Sequence, residues 1–213
     1  MEVEIWSDVA CPWCYVGKRR LEAALERFEG RADVNVTWRS FELDPAAPRD
    51  DAVDVATHLA QKYGMTREQA LDSQRRLAEL AVPDGLDLHL DRARRANTFD
   101  AHRLVHLGAE HGIAGPVKER LMRAYHSEGE PVGDPATLAR LATEAGLDAD
   151  DVAQVLGSER FGEAVREDER EAASLGIDAV PCFVVDRRFA ARGAQAPDAL
   201  LELLRRAASA CAP

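Results

Sequence analysis

The chain has 213 residues, 46% of them hydrophobic and 31% charged, enough to bury a sizeable core without disulfides or metal. Its net charge of −11 repels phosphate backbones and anionic lipid headgroups, which excludes nucleic acid and membrane surfaces as expected partners. The opening MEVEIWSDVACP is acidic and lacks an export signal's basic and apolar regions, and no apolar run reaches membrane-span length, so a cytoplasmic address is expected.

In chain order, VEIW (3–6) reads as a strand and SDVA as a turn. A helix is expected over 12–30, with Pro12 at its first position, an apolar stripe of Val16, Leu21, Leu25 and Phe28, and Gly30 as its stop. DVNVTWRSFEL alternates Val34, Val36, Trp38 and Ser40 as a second strand, so the opening is a βαβ unit with a parallel pair. After the Pro- and Asp-rich break at 44–51 the texture is helical, with helices expected over 52–63, 66–81, 98–111, 116–127, 135–145, 149–156 and 159–175. Thr66, Asn97, Asp134 and Ser158 are the start signals, Asn97 with Asp100 as a capping-box variant. CFVVD and RFAAR then read as strands, and a terminal helix starts at Pro197. The expected fold class is α/β: one sheet domain, residues 1–45 and 176–213, split by an all-helical insertion at 46–175. The only lysines are Lys18, Lys62 and Lys118, which reads as coding bias toward arginine, not mechanism.

Cys11 and Cys14 flank Pro12 and Trp13 where the first strand gives way to the helix. In a reducing compartment such a pair points to catalysis or metal and not to a structural disulfide. Cys11 falls at the helix N-cap, where backbone amides and the macrodipole favour a thiolate. Cys14 lies over the same face of the first turn and can reach it. The expectation is an exposed attacking Cys11 and a buried resolving Cys14. A closed zinc site needs a second pair of ligands that the sequence offers only by coincidence, and no metal is expected.

SDVACPWCYVGKRRLE, RANTFDAHRL (95–104), AVPCFVV (179–185) and RGAQAPDALLELL (192–204) resemble, in order and spacing, the DsbA-like family of the thioredoxin superfamily, and within it the FrnE-like cytoplasmic oxidoreductases. The resemblance implies a thioredoxin fold with a large all-helical domain inserted between its halves. It also implies a cis Val180–Pro181 bond beside the dithiol, with the Val180 backbone binding an extended substrate by strand addition. Pro12 and Trp13 join Val180 and Pro181 as expected substrate contacts.

Cys182 departs from the family pattern, which usually places an aromatic or aliphatic residue after the proline. It reads first as a small buried hydrophobe, and second as an auxiliary thiol near the active site. Cys211 reads as a frayed free thiol. His102 and His106 share a helix face, but no third metal ligand stands beside them. By resemblance their helix faces the dithiol across a cleft, which makes Asn97 and His102 candidate cleft residues, and Cys182, next to the proline, is a third. A protonated His102 there would help to hold a Cys11 thiolate, against the alternative of a packed or solvent-facing histidine.

The expected activity is thiol–disulfide exchange in the cytoplasm, as a disulfide reductase or isomerase acting on a disulfide-containing protein or small molecule. No cofactor is expected beyond a Cys11–Cys14 redox couple, with glutathione open as a co-substrate. The alternative is a glutathione-dependent isomerase or transferase of the 2-hydroxychromene-2-carboxylate isomerase or kappa class, in a polyketide pathway for instance. Those enzymes typically carry serine where Cys11 stands and lack the second thiol. A monomer and a homodimer are both compatible with the sequence.

Overall fold

The computed structural model describes residues 1–49 and 53–210. β1 (Glu2–Ser7), α1 (Pro12–Glu26) and β2 (Asn35–Ser40) form the expected βαβ unit, the strands paired in parallel from Glu2 opposite Asn35 to Ser7 opposite Ser40. β3 (Cys182–Val185) returns antiparallel on the other side of β1, and β4 (Phe189–Arg192) pairs antiparallel with β3, giving the sheet order β2-β1-β3-β4. Two segments far apart in sequence thus share one sheet.

Strand alternation decides what each face buries. Val3, Ile5, Phe183 and Val185 pack against Leu21 and Ala24 of α1 and Leu200 and Leu204 of α9 (Pro197–Ala210). Trp6, Cys182 and Val184 point the other way, onto Ala172 and Ile177.

Between β2 and β3 run α2 (Val55–Tyr63), α3 (Arg67–Ala81), α4 (Phe99–Glu110), α5 (Ala114–Arg123), α6 (Pro135–Glu144), α7 (Ala149–Leu156) and α8 (Gly162–Ser174). Leu104, Leu107, Leu121, Leu138, Leu141 and Val152 centre their core. Thr66 and Gln69 close a reciprocal capping box, and the Asp134 carboxylate accepts from Thr137 N at 2.7 Å.

Several boundaries differ from the sequence reading. α1 stops at Glu26, before Gly30, because Phe28 turns inward to join the core and its ring folds over Gly30. Thr98, not Asn97, is the first residue of the α4 cap; Asn97 accepts from Phe99 N at 3.0 Å in a short Asx turn, while Asp100 bonds Arg103 instead of closing a capping box. The helix expected from 159 starts at Gly162: the buried Arg103 guanidinium takes the carbonyls of Val155, Ser158 and Arg160, and Phe161 sits at φ 64°. The helix expected over 116–127 widens into a π-helical turn, Ala124–Glu128. Position 52, the expected start of the second helix, and Cys211 lie outside the described residues.

Candidate active site

The β1–α1 turn delivers Cys11 to the N-cap of α1. It is extended (φ −92°, ψ 112°), its N–H reaches back to Asp8 O at 3.3 Å, and its carbonyl accepts from Cys14 N at 3.0 Å. Pro12 fills the first helical position, where its missing N–H costs nothing. The Cys11 thiol lies 3.7 Å from the Val180 carbonyl oxygen, to which it donates. The Val180–Pro181 bond is cis, and Pro181 O accepts from Gly193 N at 2.8 Å.

A side chain at position 17 would not fit there. A Cβ on Gly17 would lie 2.9 Å from Pro181 Cγ and 3.2 Å from Phe183 Cζ, so α1 approaches the proline only because residue 17 has none. Val180 N–H makes no hydrogen bond among the described residues, which leaves an unused donor beside the thiol.

Cys11 is more enclosed than the sequence reading expected, only 5% exposed, while Cys14 is buried as expected, at 1%. They share an apolar cluster with Tyr15, Leu86, Leu88 and Met122. Burial pushes the Cys14 thiol well above its ordinary pKa, the Cys11 sulfur adds to this, and the Asp8 N–H and the Lys118 charge oppose it.

Beneath the dithiol lies a set of buried charges that the sequence reading did not single out. Asp8 accepts from Leu43 N at 2.8 Å and Ala10 N at 3.2 Å and faces His102 Nε2 at 3.3 Å. Burial raises the Asp8 pKa, but His102 and the N–H donors outweigh it and leave the carboxylate below its usual range. Lys118 on α5 is fully buried; its ammonium donates to Ser7 O at 3.1 Å and sits 5.8 Å from the Trp38 ring. Burial draws its pKa down to about 8. The next residue, Glu119, takes Tyr15 Oη at 2.6 Å, Lys18 Nζ at 2.6 Å and Arg19 Nη2 at 2.5 Å, which ties α5 to α1. One signal could have exposed Lys118: it falls on the same helical stripe as Leu121 and Met122, a core position for a charged residue.

A cavity of about 420 Å³ opens beside Cys11, Pro12 and Trp13, walled mainly by apolar side chains of α2 and α3 such as Leu59 and Leu77. Trp13 is the open lip of the site, 40% exposed. Two lining residues keep a buried polar atom without a partner, Gln74 Oε1 and His126 Nδ1.

The three candidate cleft residues do not line this cavity. Asn97 is held at the α4 entrance, where it also donates to Pro45 O at 3.3 Å. His102 is 1% exposed and bonded to Asp8, and burial lowers its pKa; it is a packed ring tied to Asp8 and does not reach the cavity beside Cys11. Cys182 lies on the β3 face opposite Phe183, packed with Trp6 and Ala172, and burial raises its thiol pKa. Thr98, Tyr125 and His126 line the cavity instead. His106 turns to Ser40 and Asp168, each at 3.1 Å, and so shares no ligand point with His102.

A mixed four-stranded sheet interrupted by helices, with a thiol at a helix N-cap against a cis-proline loop, defines a DsbA-like thioredoxin fold. The chain belongs to the DSBA-like thioredoxin domain family, whose model matches residues 2–205. It is 44% identical to a probable DsbA oxidoreductase from Streptomyces coelicolor, and the two structures align with a TM-score of 0.94 over 100% of this chain and 92% of that one. The cytosolic disulfide reductase DsbM from Pseudomonas aeruginosa aligns with a TM-score of 0.66 and 20% identity, over 99% and 100% of the chains. A 2-hydroxychromene-2-carboxylate isomerase aligns at 0.71 with 16% identity, over 99% and 96%. At those identities the last two share the fold.

Proposed function

We propose that this protein is a cytoplasmic thiol–disulfide oxidoreductase that reduces or isomerises disulfides, with Cys11 as nucleophile and Cys14 as resolving thiol. The observation that carries the reading is the placement of Cys11, capping α1 with its sulfur against Val180 O while Cys14 lies buried on the first helical turn. In the forward direction the Cys11 thiolate attacks one sulfur of a substrate disulfide, and the departing substrate thiolate takes up a proton. Cys14, deprotonated, then attacks Cys11 Sγ. The mixed disulfide breaks, the second substrate thiolate leaves, and the electron pair of the dithiol has passed to the substrate as Cys11–Cys14 forms. An extended substrate uses the free Val180 N–H as a strand-addition donor.

The cytoplasmic assignment draws on the likeness to a cytosolic disulfide reductase. No cofactor is needed beyond the dithiol, and glutathione suits the role of co-substrate that returns it to the reduced form.

A glutathione redox titration of a Cys182→Ser, Cys211→Ser variant, with thiols counted by mass spectrometry, tests the reading. A single two-electron transition is expected, abolished in Cys11→Ser; Cys14→Ser is expected to accumulate mixed disulfides. If no Cys11–Cys14 disulfide forms across the titration, the oxidoreductase reading fails.

The apolar cavity beside Cys11 favours a second reading for the substrate, a small apolar disulfide or thiol conjugate instead of a protein. Turnover of a disulfide-linked peptide that equals turnover of small apolar disulfides would remove that preference.

A further inference from the structure

Cys14 must lose its proton to resolve the mixed disulfide, yet it sits in the most unfavourable place for a thiolate: 1% exposed, among apolar side chains. Two groups work against that penalty, the Asp8 N–H and the Lys118 ammonium, and one peptide unit joins them. The Asp8 N–H acts on the Cys14 sulfur to lower its pKa, and the Ser7 carbonyl of the same peptide accepts from Lys118 Nζ at 3.1 Å. Lys118 is fully buried and meets no carboxylate within ion-pair distance among the described residues. Its surroundings are the two thiols of α1, Asp8 in the β1–α1 turn, Asp168 on α8, His102 on α4 and the Trp38 ring of β2. A buried ammonium with one neutral acceptor is costly to keep. Glu119, bound to Tyr15, Lys18 and Arg19 of α1, holds the helix that presents it.

We propose that Lys118 is a positioning residue for the resolving step: its ammonium polarises the Ser7–Asp8 peptide, strengthens the pull of that peptide's N–H on Cys14 Sγ, and so favours the thiolate that attacks the mixed disulfide. The inference rests on the dithiol reading and deepens it. The chemistry stays that of thiol–disulfide exchange: Cys14 thiolate forms the Cys11–Cys14 bond, the Cys11–substrate bond breaks, and the substrate leaves with the electron pair and takes a proton from solvent. Lys118 supplies charge and exchanges no bond.

The magnitude follows from competing effects. Removing a nearby positive charge raises a thiol pKa by roughly 1–3 units, while the more basic thiolate regains part of the rate through a Brønsted coefficient of about 0.4–0.5. Lys118→Met is therefore expected to slow resolution roughly 3- to 50-fold near neutral pH.

The test uses dithiobis(nitrobenzoate) in the Cys182→Ser, Cys211→Ser background, followed by stopped flow. The first equivalent of nitrothiobenzoate reports attack by Cys11 and the second reports resolution by Cys14. In Lys118→Met the second phase is expected to slow far more than the first. The deficit should shrink as pH rises past about 8, where Lys118 itself gives up its charge. A second phase within twofold of the parent, or a slowing that stays constant with pH, overturns the proposal. If Lys118→Met fails to fold, the parent's own profile decides: its second-phase rate should bend below a tenfold rise per pH unit around pH 8, and an unbent rise overturns the proposal. A parent that releases only one equivalent shows that the dithiol does not close, and the oxidoreductase reading then falls together with this inference.

Discussion

His126 carries its ring in the wall beside the dithiol, with Nε2 donating to Val9 O at 2.9 Å, and burial pulls its pKa down to about 4. The folded state therefore keeps the ring neutral where the unfolded chain, with an ordinary histidine pKa of about 6.5, binds a proton. The stability this represents is complete above about pH 6.5 and is lost as pH falls toward 4, about 3 kcal/mol over the window. His102 is pulled in the same direction, and Asp8, whose carboxylate is held low, adds a further loss at more acid pH. Urea midpoints should thus fall steeply between pH 6.5 and 4.5, and His126→Gln should flatten part of that fall; an unchanged slope in the variant would clear His126 of the effect. These residues also show what sequence reading reaches at this scale. Cys11, Cys14 and Pro181 declare themselves by spacing and motif. Lys118, Asp8 and His126 do not, because a charged side chain reads as solvated until its helix face or turn is known to be buried.

At the scale of elements, the active geometry depends on how closely α1 lies against the cis-proline loop. Gly17 sets that distance, and an added methyl would meet Pro181 Cγ at 2.9 Å. Overpacking of this kind costs about 1–3 kcal/mol when the backbone has to yield. Gly17→Ala is expected to lower stability by that amount and to slow attack by Cys11, since Pro181 and the adjoining Val180 carbonyl move with it. Denaturant melts combined with alkylation rates of Cys11 separate the two effects; a stable variant with unchanged alkylation would mean that the loop absorbs the methyl. The elements themselves were largely legible, because apolar periodicity and caps such as Thr66 and Asp134 act within a few residues. The exceptions have distant causes. α8 starts late because Arg103, from α4, occupies the carbonyls at the end of α7 and in the loop after it. The π-helical turn that brings His126 under Val9 likewise follows from tertiary contacts, with Tyr15 of α1 stacked on the same ring at 6.0 Å.

For the whole molecule, electron direction is a question of which redox form folds more stably. The two forms of the dithiol are linked by a thermodynamic cycle: whatever stabilises the folded reduced form over the folded disulfide makes the protein an oxidant, and the reverse makes it a reductant. The structure places both thiols in an apolar cluster that opens along the Trp13 lip and the adjoining cavity. Burial disfavours a thiolate at Cys14, and neither Pro12 nor Trp13 carries charge that would favour the reduced state. A disulfide is neutral and apolar, so it suits that enclosure better than a dithiol that must shed protons to work. The oxidised protein is therefore expected to be the more stable form, by about 1–3 kcal/mol, with 30 mV of potential for each 1.4 kcal/mol. Urea unfolding of the fully reduced and fully oxidised protein measures this directly, without knowledge of the substrate. A higher midpoint for the oxidised form identifies a reductant, in keeping with disulfide reduction. A higher midpoint for the reduced form would identify an oxidant, and the reductase assignment would have to be given up while the Cys11–Cys14 couple stood.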